Sequence, residues 1–157
     1  MFQFMRTAIS DGVLRSSLYH PGAGGVVIFE GRVRNQHRGR SVLFLEYEAY
    51  EALAEREGLA ILAEVREKYD ILEVLCAHRT GKVELGEMAV WIGVAAVHRA
   101  PAFEACSFVI DAIKQRLPIW KKEFYGDGMA VWVNCKDETF PSATEKKIGM
   151  ACHDHSR

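Results

Sequence analysis

Cationic residues are concentrated in one stretch of this chain. His98 and Arg99 end an apolar strand pattern, Lys114 lies in a helical pattern, and Lys121 follows Pro118. The chain as a whole has a formal net charge of −1, so it is not a general binder of polyanions. A local group of His, Arg and Lys in such a chain predicts a pocket for one specific small anion and argues against a nucleic-acid surface.

Two arginines on an earlier strand pattern are further candidates for this pocket. Arg32 and Arg34 flank Val33, and alternate residues of a strand share one face, so both side chains point the same way. A solvated face gives the same pattern as a binding face, so both interpretations of the pair stay open. Phe29 on the same strand is open between ligand contact and core packing, because its neighbours are apolar.

The direction of Lys121 relative to Lys114 depends on Pro118. The proline ring clashes with the carbonyl of Lys114 and limits the helix, which places Lys114 in the last turn, at the negative end of the helix dipole. The sequence leaves the distance between the two lysines open. Trp120, beside Lys121, either stacks on a planar ligand or fills the core, and we expect the core.

Hydrophobic periodicity predicts the elements that position these residues. Strand patterns cover residues 25–34, 42–47, 71–77, 88–97 and 129–135, with polar turns at 35–40, 78–82 and 126–128. Helical patterns cover residues 49–69 and 101–117, and the apolar face of the second comprises Phe103, Cys106, Ile110, Ile113 and Leu117. His98 and Arg99 therefore lie at a strand-to-helix junction, where backbone N–H groups and side chains commonly converge on an anion.

Length and composition predict a single domain. The chain has 157 residues, 49% hydrophobic and 26% charged, which is typical of globular proteins. We expect the domain to cover residues 1–140 and a loosely ordered tail to cover residues 141–157. No apolar run is long enough to span a membrane and no signal-peptide pattern is present, so we expect a cytoplasmic protein.

The sequence offers little support for a metal or a cofactor. The four cysteines show no CxxC spacing, so we expect reduced thiols. Cys152 to His155 contains metal-ligand residue types, but we expect a frayed tail there. Walker, GxSxG, HExxH and dinucleotide-glycine motifs are absent from the sequence, which removes the usual support for nucleotide and hydrolase mechanisms. We expect neither a metal nor a cofactor.

Five motifs carry a family resemblance. In chain order they are FEGRVRN from Phe29, LEYEAY from Leu45, HRTG from His78, HRAPAF from His98, and Lys114 followed by PIWKKE from Pro118. Together they resemble the large, catalytic subunit of molybdopterin synthase, over residues 25–133. Five motifs in family order are far more specific than any one of them.

The resemblance implies a fold and a reaction. The fold is an α/β hammerhead-type domain with an additional antiparallel β-sheet. It forms a homodimer, and a heterotetramer when each end binds a small ubiquitin-like sulfur carrier. The implied reaction moves sulfur twice from the carrier's C-terminal Gly-Gly thiocarboxylate to cyclic pyranopterin monophosphate, which gives the molybdopterin dithiolene. This chain ends in His155, Ser156 and Arg157, so we expect a separate partner to supply the sulfur.

The matching motifs also imply roles for individual residues. Arg34, His98 and Arg99 would hold the phosphate-bearing pterin, with Phe29 as a further substrate contact. Lys114 and Lys121 would face the carrier's inserted tail, with Lys114 as the main catalytic group. His98 and Arg99 at one end and Lys114 at the other bracket a helix about 24 Å long, which is too far for one site in one subunit, so we infer a composite site across the dimer.

One departure and two alternatives accompany the resemblance. Relatives carry an arginine shortly after the last Trp-Val, whereas this chain continues to Lys136, which supplies a point charge without the bidentate fork. The first alternative is a non-catalytic dimeric module that binds a phosphorylated small anion or an acidic partner tail, in which Arg would replace Lys114 without loss. The second is a scaffold for pathway enzymes, in which cation substitutions hardly matter.

Overall fold

The computed structural model describes residues 1–133, which form two β-sheets and three helices. The elements are β1 (Phe2–Met5), α1 (Asp11–Leu18), β2 (Gly25–Arg32), β3 (Gln36–His37), β4 (Arg40–Ala49), α2 (Glu51–Lys68), β5 (Glu73–Arg79), β6 (Gly81–Glu84), β7 (Met88–Ala96), α3 (Arg99–Arg116), β8 (Ile119–Tyr125) and β9 (Ala130–Val133). The first sheet has the order β1-β5-β7-β2, and the second has the order β3-β4-β8-β9 with β6 also paired to β4. The predicted class, mixed α and β with an additional antiparallel sheet, is confirmed.

Helices cover both faces of the first sheet. Along β5, Val74 and Cys76 pack into the core beneath α2 and α3, whereas Leu75 and Ala77 pack against α1. Successive side chains of a strand point to opposite faces, so a strand buried on both sides appears in sequence as a continuous apolar run. This explains why β5 and β7 were predicted as buried strands from their composition.

Small residues let α3 lie close to the first sheet. Ala102, Ala105, Val109 and Ala112 are buried on its inner face, whereas Phe103 is 61% exposed. The predicted apolar face was therefore wrong at Phe103, because large side chains were given more weight than the alanines that allow close approach. The predicted end of this helix is confirmed.

The first two elements, β1 and α1, were not predicted. β1 is a short strand that pairs in parallel with β5, and Phe2 is buried in the core. α1 is held to β7 by a 2.8 Å hydrogen bond from Trp91 Nε1 to Asp11 Oδ1. Both elements depend on partners distant in sequence, which local periodicity does not reveal.

The second sheet has a small core and an exposed aromatic face. Val42, Leu45, Val83 and Tyr125 pack together on its inner side. On the other side Trp120 and Trp132 lie 47% and 50% exposed, and they border a groove of about 630 Å³ beside α2. The expectation that Trp120 fills the core was wrong, because Trp120 alternates with the buried Lys121 along β8.

Two predicted turns contain strand residues. The segment 35–40 includes β3, and its tight turn is confined to Arg38 and Gly39, which both have positive φ. The segment 78–82 was predicted as a turn, but its first two residues belong to β5 and β6 begins at Gly81. Its His and Arg read as polar turn residues in the sequence, yet both are buried.

Within residues 1–133, no helix is long and apolar enough to cross a membrane. The predicted domain boundary at residue 140, Lys136 and the Cys152 to His155 segment lie outside the described residues. The predicted last strand is confirmed as far as Val133.

Candidate active site

A cavity of about 130 Å³ lies between α3 and the two sheets. The titratable residues that line it include Arg34, His37, His78, Lys114, Lys121 and Glu123. Arg34, His37, Lys114 and Lys121 carry or can carry a positive charge. Glu123 is the carboxylate of this set. The volume is below the 300–1,000 Å³ of ordinary small-molecule pockets, so the cavity suits a slender group better than a whole bicyclic ligand.

The two arginines of the β2 region, whose role the sequence left open, both line the cavity, but they differ in their partners. The guanidinium of Arg32 lies 2.7 Å from Glu30 Oε2 and donates to the Gly86 carbonyl at 2.6 Å. Arg34 is exposed and makes no ion pair within residues 1–133. Arg34 is therefore the arginine that is available to an anion.

Lys114 and Lys121 line the same cavity from different elements. Lys114 is half-buried in the last turn of α3, and Lys121 is buried on the inner face of β8. Pro118 lies between the end of α3 and the start of β8. The structure thus brings the two lysines, whose separation the sequence left open, to one cavity.

A buried carboxylate lies next to Lys121. Glu123 Oε1 is 3.5 Å from Lys121 Nζ, and Glu123 Oε2 is 2.7 Å from His37 Nδ1 and hydrogen-bonded to the Tyr125 hydroxyl. Burial opposes the ionised form, but the hydrogen bonds from Tyr125 and His37 and the charge of Lys121 hold the pKa of Glu123 below its ordinary value. Burial and the adjacent carboxylate raise the pKa of Tyr125.

Sequence reasoning missed His37, Glu123 and Tyr125 as site residues. A strand assignment for residues 119–125 would have placed Lys121, Glu123 and Tyr125 on one face by alternation. No comparable signal existed for His37, which lies in a polar turn segment and reaches Glu123 only because β3 folds beside β4.

His78 is a further cavity residue whose side chain is uncharged. It is buried between the rings of Phe4 and Tyr47, and its Nδ1 lies 2.8 Å from the carbonyl oxygen of Arg79. A carbonyl only accepts, so the hydrogen is on Nδ1 and Nε2 is an acceptor. Burial lowers the pKa of His78 to about 4, against the opposing effect of the Arg79 hydrogen bond.

His98 and Arg99 do not line this cavity. Both are exposed, His98 as the residue that precedes α3 and Arg99 as its first residue. Lys114 is in the last turn of the same helix, about 22 Å away along the axis at 1.5 Å per residue. The structure therefore keeps the His-Arg pair apart from the lysines within one subunit, as the helix length predicted.

Phe29 lines the cavity and is 37% exposed, so its position is compatible with a ligand contact. Cys76 and Cys106 are buried and free, and burial raises the pKa of both thiols, which makes them poor nucleophiles. Among residues 1–133 no group of three or more His, Cys, Asp or Glu is arranged to hold a metal ion.

The fold and site define a mixed α and β domain with a cation-lined cavity between its sheets, and the chain belongs to the MoaE protein family, whose model it matches over residues 5–116. The molybdopterin synthase catalytic subunit of Oryza sativa subsp. indica is 49% identical over 110 residues, covering 70% of this chain and 56% of that relative. The corresponding Thermoplasma volcanium protein is 46% identical over 112 residues, covering 71% of this chain and 82% of that relative.

A solved structure agrees with the family assignment. The molybdopterin synthase of Staphylococcus aureus superposes with a TM-score of 0.79 at 35% identity, covering 84% of this chain and 96% of that one. This chain spans a little over half, 56%, of the length of the rice relative. The predicted family is confirmed.

Proposed function

We propose that this chain is the catalytic subunit of a molybdopterin synthase. It transfers sulfur from the thiocarboxylated C-terminus of a small ubiquitin-like carrier to cyclic pyranopterin monophosphate, forming the molybdopterin dithiolene. The observation that carries the proposal is the convergence of Arg34, Lys114 and Lys121 on one cavity in a chain of this family. The free thiols of Cys76 and Cys106 are in keeping with a reducing compartment such as the cytoplasm.

The size of the cavity supports separate positions for the carrier tail and the pterin substrate. A Gly-Gly tail is slender and fits a volume of about 130 Å³, whereas a pterin needs more room and stays outside it. Lys114 and Lys121 then face the thiocarboxylate, and Arg34 and Phe29 contact the substrate. Each charge-assisted hydrogen bond to these anions contributes about 1.5 to 3 kcal/mol.

Lys114 has the main catalytic role in this proposal. It stabilises the tetrahedral oxyanion that forms as the thiocarboxylate is consumed, or it passes protons to the pterin. Lys121 is the secondary group. Glu123 Oε1 lies 3.5 Å from its Nζ, which helps to hold the lysine within the cavity.

The remaining substrate contacts come from a second copy of the chain. His98 and Arg99 are exposed and about 22 Å from Lys114, so they reach a site only across a subunit boundary. We therefore propose a homodimer with composite sites, and a heterotetramer once each site holds a carrier. A two-fold interface is isologous, so it would form two equivalent composite sites.

The test is conversion of cyclic pyranopterin monophosphate to molybdopterin by the purified chain with thiocarboxylated carrier. We expect Lys114→Ala to reduce turnover at least about 100-fold, because it removes a charge that acts in the transition state. Lys68→Ala is the control, since Lys68 lies in the last turn of α2 as Lys114 lies in the last turn of α3, but is exposed and does not line the cavity.

Two results would contradict the assignment. Near-normal turnover by Lys114→Ala removes Lys114 from the mechanism. No product from the wild type, with carrier binding intact, favours the non-catalytic binding module, and in that case Lys114→Arg binds the carrier as well as the wild type does.

A further inference from the structure

Glu123 divides its two carboxylate oxygens between different partners. Oε2 accepts hydrogen bonds from the Tyr125 hydroxyl and from His37 Nδ1 at 2.7 Å. Oε1 faces Lys121 Nζ at 3.5 Å. An ionised carboxylate only accepts, so both contacts to Oε2 require a hydrogen on the partner, and they leave Oε1 for the lysine.

The geometry points to Tyr125 and His37 as positioning residues, which hold Lys121 in the cavity through Glu123. This inference rests on the proposed use of Lys121 in sulfur transfer. Tyr125 is not among the described residues that line the cavity, whereas His37 lines it and turns its Nδ1 to Glu123. Their effect is to fix the carboxylate against which the lysine lies.

The side chains of this network are buried, which restricts them to one arrangement. Glu123, Lys121 and Tyr125 are 2%, 5% and 5% exposed. A lysine side chain is flexible and carries its charge at a point, so a fixed counter-charge nearby helps to localise it. In a site shielded from water, a hydrogen-bonded carboxylate is stiffer and its field is less screened than at the surface.

The network continues to the outer edge of the second sheet. The Arg40 guanidinium lies 3.7 Å from the centre of the Tyr125 ring, and its Nη2 is 3.0 Å from Asp127 Oδ2. Within residues 1–133, the charged and titratable groups that face Glu123 are Lys121 and Tyr125 from β8 and His37 from β3, with Arg40 of β4 behind the tyrosine. Arg34 and Lys114 line the same cavity.

The hydrogen bond from Tyr125 is a cause of the lowered pKa of Glu123, so its removal has a defined direction. Without the hydroxyl, the carboxyl takes up a proton at higher pH. Lys121 then loses its counter-charge at a pH where the wild type still has it. A purely structural role for Tyr125 would change stability without moving the acid limb of the pH–rate profile.

The experiment compares Tyr125→Phe with wild type in the conversion of cyclic pyranopterin monophosphate by the complex with thiocarboxylated carrier. We expect kcat to fall about tenfold, as for a lost hydrogen bond to a charged group, with little change in KM. The acid limb of the kcat profile moves to higher pH. Tyr19→Phe, at an exposed tyrosine, is the control and keeps the wild-type profile.

His37 gives a second and independent arm. Asn places an amide N–H near the Nδ1 position and Ala places nothing there, so we expect His37→Asn to retain much of the turnover that His37→Ala loses. This pair keeps the inference testable if Tyr125→Phe folds poorly. The ¹³C titration of the Glu123 carboxyl, measured by NMR, reports the network without any turnover.

The outcomes separate the inference from the proposed function. If Lys121→Ala loses turnover while Tyr125→Phe and His37→Ala match the wild type in kcat and pH profile, the positioning role is wrong and the synthase reading stands. If the wild type makes no product although it binds the carrier, the synthase reading fails and the positioning role fails with it. An unchanged Glu123 titration in Tyr125→Phe also overturns the inference.

Discussion

His78 is a neutral side chain in a cavity whose charged lining residues are mainly cations. Its burial between Phe4 and Tyr47 removes the water that would stabilise an imidazolium, and the nearby lysines and arginines add no counter-charge. The cavity thereby contains a hydrogen-bond acceptor that stays uncharged at neutral pH. The same burial connects this single residue to the acid stability of the fold.

We expect the free energy of unfolding to fall as the pH is lowered from about 6.5 to about 4, through His78. In this window the unfolded chain binds a proton at His78 that the folded chain does not, because burial lowers the folded pKa to about 4. The contribution of His78 to the free energy of unfolding is on the order of 3 kcal/mol. It is fully present above pH 6.5 and is lost progressively as the pH falls to about 4. Urea unfolding at a series of pH values measures it.

The comparison variants isolate this residue from the carboxylates that also titrate in acid. His78→Gln should show a flatter dependence of stability on pH, even though its stability at pH 7 is lower. His20→Gln, at an exposed histidine, is the control for the substitution. Parallel pH dependences of wild type and His78→Gln would show that His78 is not the source.

At the scale of elements, Gly58 in α2 is required by packing against β1 and not by the helix itself. A Cβ added at Gly58 would lie 2.6 Å from the ring of Phe2 in β1, so the position has no room for a methyl group. Gly58 reads in sequence as a weak point in a helical pattern. In the structure it is the place where β1 packs against α2.

Gly58→Ala should therefore destabilise the fold by about 1 to 2 kcal/mol, because overpacking outweighs the gain of about 1 kcal/mol in helix propensity. Gly12→Ala in α1 is the matched variant, since nothing lies within 4 Å of a Cβ there. It should stabilise by about 0.5 to 1 kcal/mol. Urea unfolding at neutral pH measures both, and changes of the same sign would contradict the packing argument.

The elements also show what periodicity can and cannot predict. The strands β2, β4, β5 and β7 and the helices α2 and α3 were predicted because each has a continuous apolar run or stripe. β1 and α1 lack such a pattern, since their apolar residues are few and meet their partners only after folding. The exposed Trp120 was misassigned because composition does not say which face of β8 is covered.

The candidate site also contains residues that the sequence predicted and residues that it did not. Arg34, Lys114 and Lys121 were predicted from motif and charge, and the structure brings these three to one cavity. Their neighbour Glu123 was inside a quoted motif without an assigned role. His37 depends on a two-residue strand pairing that no local pattern announces.

At the scale of the whole molecule, the length of α3 is the basis of the proposed composite site. We predict that mixing Arg99→Ala with Lys114→Ala subunits restores activity that neither variant has alone. In a composite site, each mixed dimer has one intact site and one site with both substitutions. Random exchange makes about half of the dimers mixed, which gives about a quarter of wild-type turnover.

A site within one chain gives the opposite result, because every subunit then carries a substitution in its own site. Mixtures would stay as inactive as the separate variants. Exchange of subunits is verified by mass spectrometry of one isotope-labelled variant. Lack of recovery in a sample with proven exchange would contradict the composite site.

The three tryptophans differ in exposure, so their fluorescence reports on different parts of the protein. Trp91 is fully buried and hydrogen-bonded to Asp11, whereas Trp120 and Trp132 are about half exposed beside one groove. Acrylamide or iodide should quench the emission of the two outer indoles and leave that of the inner one. A red shift of Trp91 reports loss of the core, and a blue shift of the outer pair reports that the groove has been covered.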